Sequence, residues 1–189
     1  MTWIQTIPKS LAGPEYRAAL DAQHAWYPRE YEADVDGLPS ADGDGIVASH
    51  SLIPNALHHA FATFGALMDP NLPLNRRQHE IIATVVSQQN CTRYCSVSHR
   101  EFLRRATGDD VLVRAIQNDL KSAVFSESEQ AIIDYAIKIT RDATSVSPDD
   151  HARLRAVGFD DQGILQITLI AAWFNYINRV ADSLGVGRE

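Results

Sequence analysis

Residues 80–99 read EIIATVVSQQNCTRYCSVSH, from Glu80 to His99. Ile81, Ile82, Val85 and Val86 recur at helical spacing and predict a buried helix. Gln88, Gln89 and Asn90 interrupt the pattern, so that helix is expected to break there. A second helix is expected to begin near Thr92 and to carry Tyr94, Cys95, Val97, His99, Phe102 and Leu103, with ATGDD around Gly108 ending it. Upstream, Asn75 and Gln78 have the spacing of a capping box, which starts the first of the two helices just before Glu80.

The same reading extends outward in both directions. Residues 1–13 form an extended arm that Trp3, Ile4 and Ile7 can dock on a neighbour, and a short helix starts at Pro14. Residues 28–47 are acidic and rich in Gly and Pro, which predicts a surface loop. Its DGDG resembles part of a calcium loop but lacks the ligand spacing and the terminal Glu. From about Pro54, Leu57, Phe61, Phe64, Leu67 and Met68 mark a core-facing helix. His58 and His59 on that helix are adjacent, and adjacent helical positions diverge too far to share one metal ion. Past Gly108, DVLVRAIQND is a short helix. Ser126 with Glu129, and Ser147 with Pro148, start two more, and Gly158 stops the second. Last comes a helix apolar on almost every side through Trp173 and Phe174. Such a helix is expected in a core or at a subunit interface, and Asn175, Asn178, Arg179 and Asp182 near its end supply structural polar contacts. No stretch has strand alternation with hairpin turns. The fold class is therefore all-α, a compact multi-helix bundle in one domain spanning residues 1–189: an N-terminal arm, short helix and acidic loop over 1–50, then a core over 51–186.

Composition narrows the function. The chain has 189 residues, 45% hydrophobic and 22% charged, which suits one soluble globular domain. A formal net charge of −7 argues against nucleic acid or anionic membrane as partner, since both need a basic face. No apolar run is long enough to span a bilayer, and the N-terminus lacks the apolar core of a signal peptide, so a cytoplasmic location is expected. Two cysteines are too few for a disulfide framework. In a reducing compartment, such a close pair points to redox chemistry, metal binding or simple burial.

Cysteine chemistry is thiolate chemistry, so a reactive cysteine needs a lowered pKa. With Thr92 as N-cap, Cys95 lies in the first turn, where the helix dipole favours an anion. His99 lies four residues on, shares that face and is placed to take the thiol proton. Glu80, on a helix packed alongside, would orient His99 or relay the proton. Such a set suits attack on a peroxide oxygen, forming a sulfenic acid that Cys91 would resolve as a disulfide. Other readings compete. Cys95 also reads as an inert buried residue. Cys91, Cys95 and His99 offer three zinc ligands, though at looser spacing than structural zinc sites use. Glu80 and His99 alone would serve a lyase or isomerase by proton transfer. A non-enzymatic redox sensor or binding protein needs only the thiols. Neither a metal nor a bound cofactor is expected.

These residues resemble those of the AhpD-like (alkylhydroperoxidase D-like) proteins of the carboxymuconolactone decarboxylase superfamily, above all their peroxidase-related branch. The family pattern is a Glu, eleven residues, C-x-x-C, three residues and His. Glu80, Cys95 and His99 stand at the matching offsets, and Tyr94 before the second cysteine is typical. The segments SESEQAIIDYAIKITRDATSVSP and WFNYINRVADSLGV extend the likeness over most of residues 50–186. The resemblance implies a helical bundle that assembles as a trimer or hexamer. It also implies a hydroperoxide substrate, electrons from an external thiol or lipoyl-type reductant, and no bound cofactor. The departure is at the first cysteine position, which holds Thr92. Cys91 sits one residue earlier, making C-x-x-x-C. Inside a regular helix, residues at that spacing rise about 6 Å along the axis, whereas a disulfide wants Cβ atoms about 3.8 Å apart. A Cys91–Cys95 disulfide therefore requires Cys91 to lie outside the helix, before the cap.

Overall fold

Capping sets the boundaries of the helices that carry the site. Asn75 accepts the Gln78 backbone N–H at 3.0 Å, while the Gln78 side chain accepts the Asn75 backbone N–H at 3.0 Å. Ser126 and Glu129 close a second such box at 3.2 and 2.9 Å. Gly108 ends its helix in the left-handed region, at φ 67°, and its N–H donates to Arg104 O at 2.8 Å.

A computed structural model describes residues 2–31, 33–39 and 45–188. Among them the chain is all-α, with eight α-helices and no strand. In order these are α1 (Pro14–Trp26), α2 (Pro54–Leu67), α3 (Arg76–Gln89), α4 (Arg93–Thr107), α5 (Asp110–Asn118), α6 (Glu127–Asp142), α7 (Pro148–Ala156) and α8 (Asp161–Ser183). Helix α3 is the centre, packing on α4, α6 and α8, and every residue from His79 to Ser87 is buried. Its two faces serve two cores. Ile82 and Val86 face a large cluster with Phe61, Phe64, Ile132, Ile167 and Phe174. Ile81 and Val85 face a smaller one with Leu103, Leu112, Ile116 and Ile133. Each such fully buried side chain contributes about 1.5–3 kcal/mol.

Three expectations change in detail. Helix α8 is not buried all round: Leu165, Leu169 and Tyr176 form an outward stripe, 56%, 41% and 45% exposed, which no element among the described residues covers. The acidic segment 28–47 is not wholly surface loop. It holds a 3-10 turn, Arg29–Tyr31, whose tyrosine packs inward, stacked on Phe102 with ring centroids 4.1 Å apart. The N-terminal arm docks on its own chain, with the Trp3 N–H donating to Leu184 O and the Ile7 N–H to Ser51 Oγ, both at 2.8 Å. Most of the DGDG pattern, Asp42 to Asp44, lies outside the described residues. His58 packs edge-on against Trp26 at 5.3 Å, and no cluster of three metal-ligating side chains occurs among the described residues. Among the described residues no helix is long and apolar enough to cross a membrane.

Helices α1 and α2 pack closely at Gly65, where an added Cβ would lie 2.7 Å from Trp26 Cβ. Gly65→Ala gains about 1 kcal/mol of helix propensity. Overpacking costs about 1–3 kcal/mol and wins, because Trp26 Cβ cannot rotate away. The expected outcome is a lower denaturant midpoint with unchanged slope; a raised midpoint would show that α1 yields freely.

Candidate active site

The turn between α3 and α4 brings the site together. Cys91 adopts a left-handed backbone, φ 57°, uncommon for a residue with a side chain. The Cys91 N–H donates to Gln88 O and the Thr92 N–H to Ser87 O, both at 3.0 Å. The reversal lays α4 beside α3, so that Glu80, in the second turn of α3, meets His99 in α4. His99 Nδ1 lies 2.8 Å from Glu80 Oε2.

Glu80 is buried, 1% exposed, and gathers three donors. The Tyr31 hydroxyl donates to Oε1 at 2.6 Å, Arg76 Nη2 donates to the same oxygen, and His99 holds Oε2. Burial by itself raises the carboxyl pKa. The charges and hydrogen bonds of His99 and Arg76, with the Tyr31 hydroxyl, outweigh it, and the net direction is down. Glu80 is therefore a carboxylate and only accepts, so Nδ1 of His99 carries the proton and Nε2 is left as the basic nitrogen. The ring is wedged edge-on between Tyr31, Phe102 and Phe174, at 5.7, 5.3 and 4.7 Å. Burial, and then the neighbouring carboxylate, push the Tyr31 hydroxyl well above its usual range, so it stays a donor.

Cys95 lies one turn before His99, 3% exposed, and both line a cavity of about 120 Å³. The walls are mostly aromatic and aliphatic, including Phe61, Phe64, Phe102, Trp173 and Ile177. The expected lowering of the Cys95 pKa does not occur. Burial pushes the thiol up to about 12, against a hydrogen bond to Asn178 and with the Asp182 carboxylate adding to the rise. Among the described residues no hydrogen bond joins Cys95 to His99; the resting group is a thiol beside a base, not a thiolate. Thr92 occupies the N-cap without capping, its hydroxyl donating instead to Asp182 Oδ2 at 2.6 Å. Cys91 is exposed and lines a different, open groove with Gln88, Arg93 and Arg100. Neither cysteine is in a disulfide. His99 and Cys95 thus share one cavity, Glu80 backs His99 from behind its wall, and Cys91 does not join them.

Several residues of the site were not singled out in the sequence. Arg76 lies one turn before Glu80 and had the i,i+4 signal of an ion pair. Its Nε donates to Glu30 Oε1 at 2.7 Å, and Nη1 lies 2.9 Å from His79 Nδ1. His79 Nε2 lies 3.1 Å from the Gln166 amide, which also donates to Leu67 O and accepts from the Leu74 N–H. Glu30, Tyr31 and Gln166 are far from Glu80 in sequence and carried no such signal.

No family model matches the chain, and no curated protein matches it. Solved structures do. An uncharacterised peroxidase-related protein from Silicibacter sp. TM1040 is 28% identical over 75% of this chain and 74% of its own, with a TM-score of 0.71. An AhpD-core, peroxidase-related protein from Ralstonia eutropha JMP134 superposes over 98% of this chain and 90% of its own, at 21% identity and a TM-score of 0.80. The fold is AhpD-like. The debrominase Bmp8, in complex with 2,3,4-tribromopyrrole, has the same AhpD-like fold at 15% identity, over 98% of this chain and 91% of its own, with a TM-score of 0.74.

His79 makes this AhpD-like core acid-sensitive. Burial, then the Arg76 charge, push its pKa from 6.5 down to about 4. Between those values the unfolded chain binds a proton that the folded chain refuses, so stability falls as pH drops through that window, by up to about 3 kcal/mol. Denaturant midpoints measured from pH 7 to pH 4 should decline in the wild type and decline less steeply in His79→Gln.

Proposed function

We propose that the chain is a thiol-dependent hydroperoxide reductase with Cys95 as nucleophile and His99 as proton carrier. The observation that carries this reading is the 2.8 Å Glu80–His99 contact, with the His99 ring and the Cys95 thiol on one cavity wall. Glu80 fixes the His99 tautomer, so the basic Nε2 is available to the thiol. As the hydroperoxide enters, Nε2 takes the thiol proton and Sγ attacks the terminal peroxide oxygen. The O–O bond breaks, and the departing alkoxide takes the proton and leaves as an alcohol. Sulfur is oxidised by two electrons to a sulfenic acid, and the peroxide is reduced by the same two. An external thiol then condenses with the sulfenic acid, releasing water. A second thiol, or the second sulfur of a lipoyl-type dithiol, frees Cys95 and leaves as a disulfide. Because Cys91 lies in another groove, this is a one-cysteine cycle. The apolar walls suit an organic hydroperoxide, and the peroxidase-related names of the Silicibacter and Ralstonia proteins agree with the reading.

One observation favours a second reading. A thiol at about 12 that bonds to Asn178 rather than His99 leaves Glu80 and His99 as a self-sufficient acid–base pair, as a lyase or isomerase would use.

Intact mass after one equivalent of an organic hydroperoxide separates the readings. Wild type and Cys91→Ser should each gain one oxygen, and Cys95→Ser should not. His99→Asn should slow the gain by about 100-fold. Loss of two hydrogens in the wild type would replace the one-cysteine cycle with a Cys91–Cys95 disulfide. No mass change would sink the peroxidase reading and leave the proton-transfer pair.

A further inference from the structure

The Glu80–His99 pair is backed by a ring of side chains from outside α4. Arg76 bridges Glu30 and Glu80, and Tyr31 returns to Glu80. Glu30 and Tyr31 both sit on the Arg29–Tyr31 turn, so this one short segment supplies two of the ring's four members. The turn is held from the far side by Arg105, whose Nη1 donates to the carbonyls of Glu30 and Ala33 at 3.0 and 2.8 Å, and whose Nη2 donates to Asp34 O at 2.8 Å. Three main-chain carbonyls on one guanidinium make a latch. The Tyr31 ring is fixed between its stacking on Phe102 and the Arg76 guanidinium 5.6 Å over its face.

We propose that Tyr31 is a positioning residue, latched by Arg105, that tunes the basicity of His99 through Glu80. The proposal rests on the reading of Glu80 and His99 as an acid–base pair. Donors to one carboxylate compete: charge drawn toward Oε1 by Tyr31 and Arg76 is charge that Oε2 does not offer to an imidazolium. Withdrawing the hydroxyl leaves Glu80 a stronger partner for protonated His99, so His99 holds its proton to higher pH. The groups facing His99 are few. Helix α3 presents Glu80 and Arg76, the N-terminal segment presents Tyr27, Tyr31 and Asp34, and α4 itself presents Tyr94 and Cys95; α2 and α8 present only aromatic or aliphatic side chains to this cavity. Removing one hydroxyl leaves all the others in place.

The test is the titration of His99, followed by NMR of histidine-labelled protein and assigned with His99→Asn. Tyr31→Phe keeps the ring and its stacking and removes only the hydroxyl. It should move the His99 midpoint up by about one pH unit. Arg105→Ala frees the turn while leaving Glu80, Arg76 and Tyr31 themselves unaltered, removes the guanidinium from its place 5.7 Å over the Phe102 ring, and should move the midpoint the same way by a smaller amount; it also keeps the test open if Tyr31→Phe does not fold. A midpoint unchanged in both variants, with helix content intact, overturns the proposal, as does a downward shift. Because the readout needs no peroxide, its failure is distinguishable from failure of the peroxidase reading. A shifted His99 in a protein that ignores peroxide keeps the positioning role, and an unshifted His99 in an active peroxidase removes it.

Discussion

Everything around the site follows from one buried carboxylate. Moving an ionised group out of water costs several kcal/mol unless it is paired and hydrogen-bonded, and removing one partner leaves that cost exposed. Glu80 is buried beside three apolar helices and resolves the problem with donors from three places: its own helix, the next helix and the N-terminal segment. Those donors fix the register of α3 against α4 and bring the Arg29–Tyr31 turn over the cavity. The demand then propagates. Arg76 needs Glu30, His79 sits against Arg76, and Gln166 of α8 ties His79 to the backbone at Leu67 and Leu74. A polar line thus runs through the bundle from α8 to His99, and the apolar cores fill in on either side.

The two cysteines show how little sequence distance says about chemical environment. They are four residues apart, yet one is exposed and the other buried. The left-handed backbone at Cys91 takes that residue off the helix, so its side chain does not share the Cys95 face, and Thr92 spends its hydroxyl on Asp182. Burial then decides the character of Cys95. A thiol at about 12 is sluggish toward oxidants in bulk solvent, and its proton leaves only to a base within the cavity. On the proposed reading, Cys95 would become nucleophilic only beside His99, and only toward molecules that fit between Phe61, Phe102 and Trp173.

What the sequence made legible was local or periodic. Asn75–Gln78 and Ser126–Glu129 announce their helices because both halves of each box lie within one turn, and Gly108 announces a helix end because few other residues adopt its backbone. The offset from Glu80 to His99 was readable for a related reason, since a helix, a short reversal and a second helix bring such positions back together. Asn175, Asn178 and Asp182 act as the structural contacts expected of them, bonding to Asn90, Ser87 and Thr92. Tyr31, Gln166 and Arg105 were not readable, because their partners lie 49, 92 and 75 residues away and no short-range pattern encodes those encounters. The direction of the Cys95 shift was missed for the same cause. The helix terminus is visible in sequence, but the burial that outweighs it is built by α8 and the N-terminal segment.

An AhpD-like fold alone does not choose between reactions, since peroxidase-related proteins and a debrominase share it. The cavity's charge bears on the reading proposed above. Among the described residues its lining includes Asp34, from the acidic loop, and no lysine or arginine. A substrate carboxylate placed there would have no counter-ion and would meet the same desolvation cost that Glu80 needs three donors to offset. An organic acid, as a decarboxylating or lactone-opening reaction would present, is therefore poorly matched to this site. An uncharged hydroperoxide would not be penalised, because on the proposed reading the only charge it develops is on the leaving oxygen, when His99 would hold a proton to give it. On the proposed reading, the burial that makes Cys95 a weak acid at rest would favour a reaction in which proton transfer and substrate meet at the sulfur together.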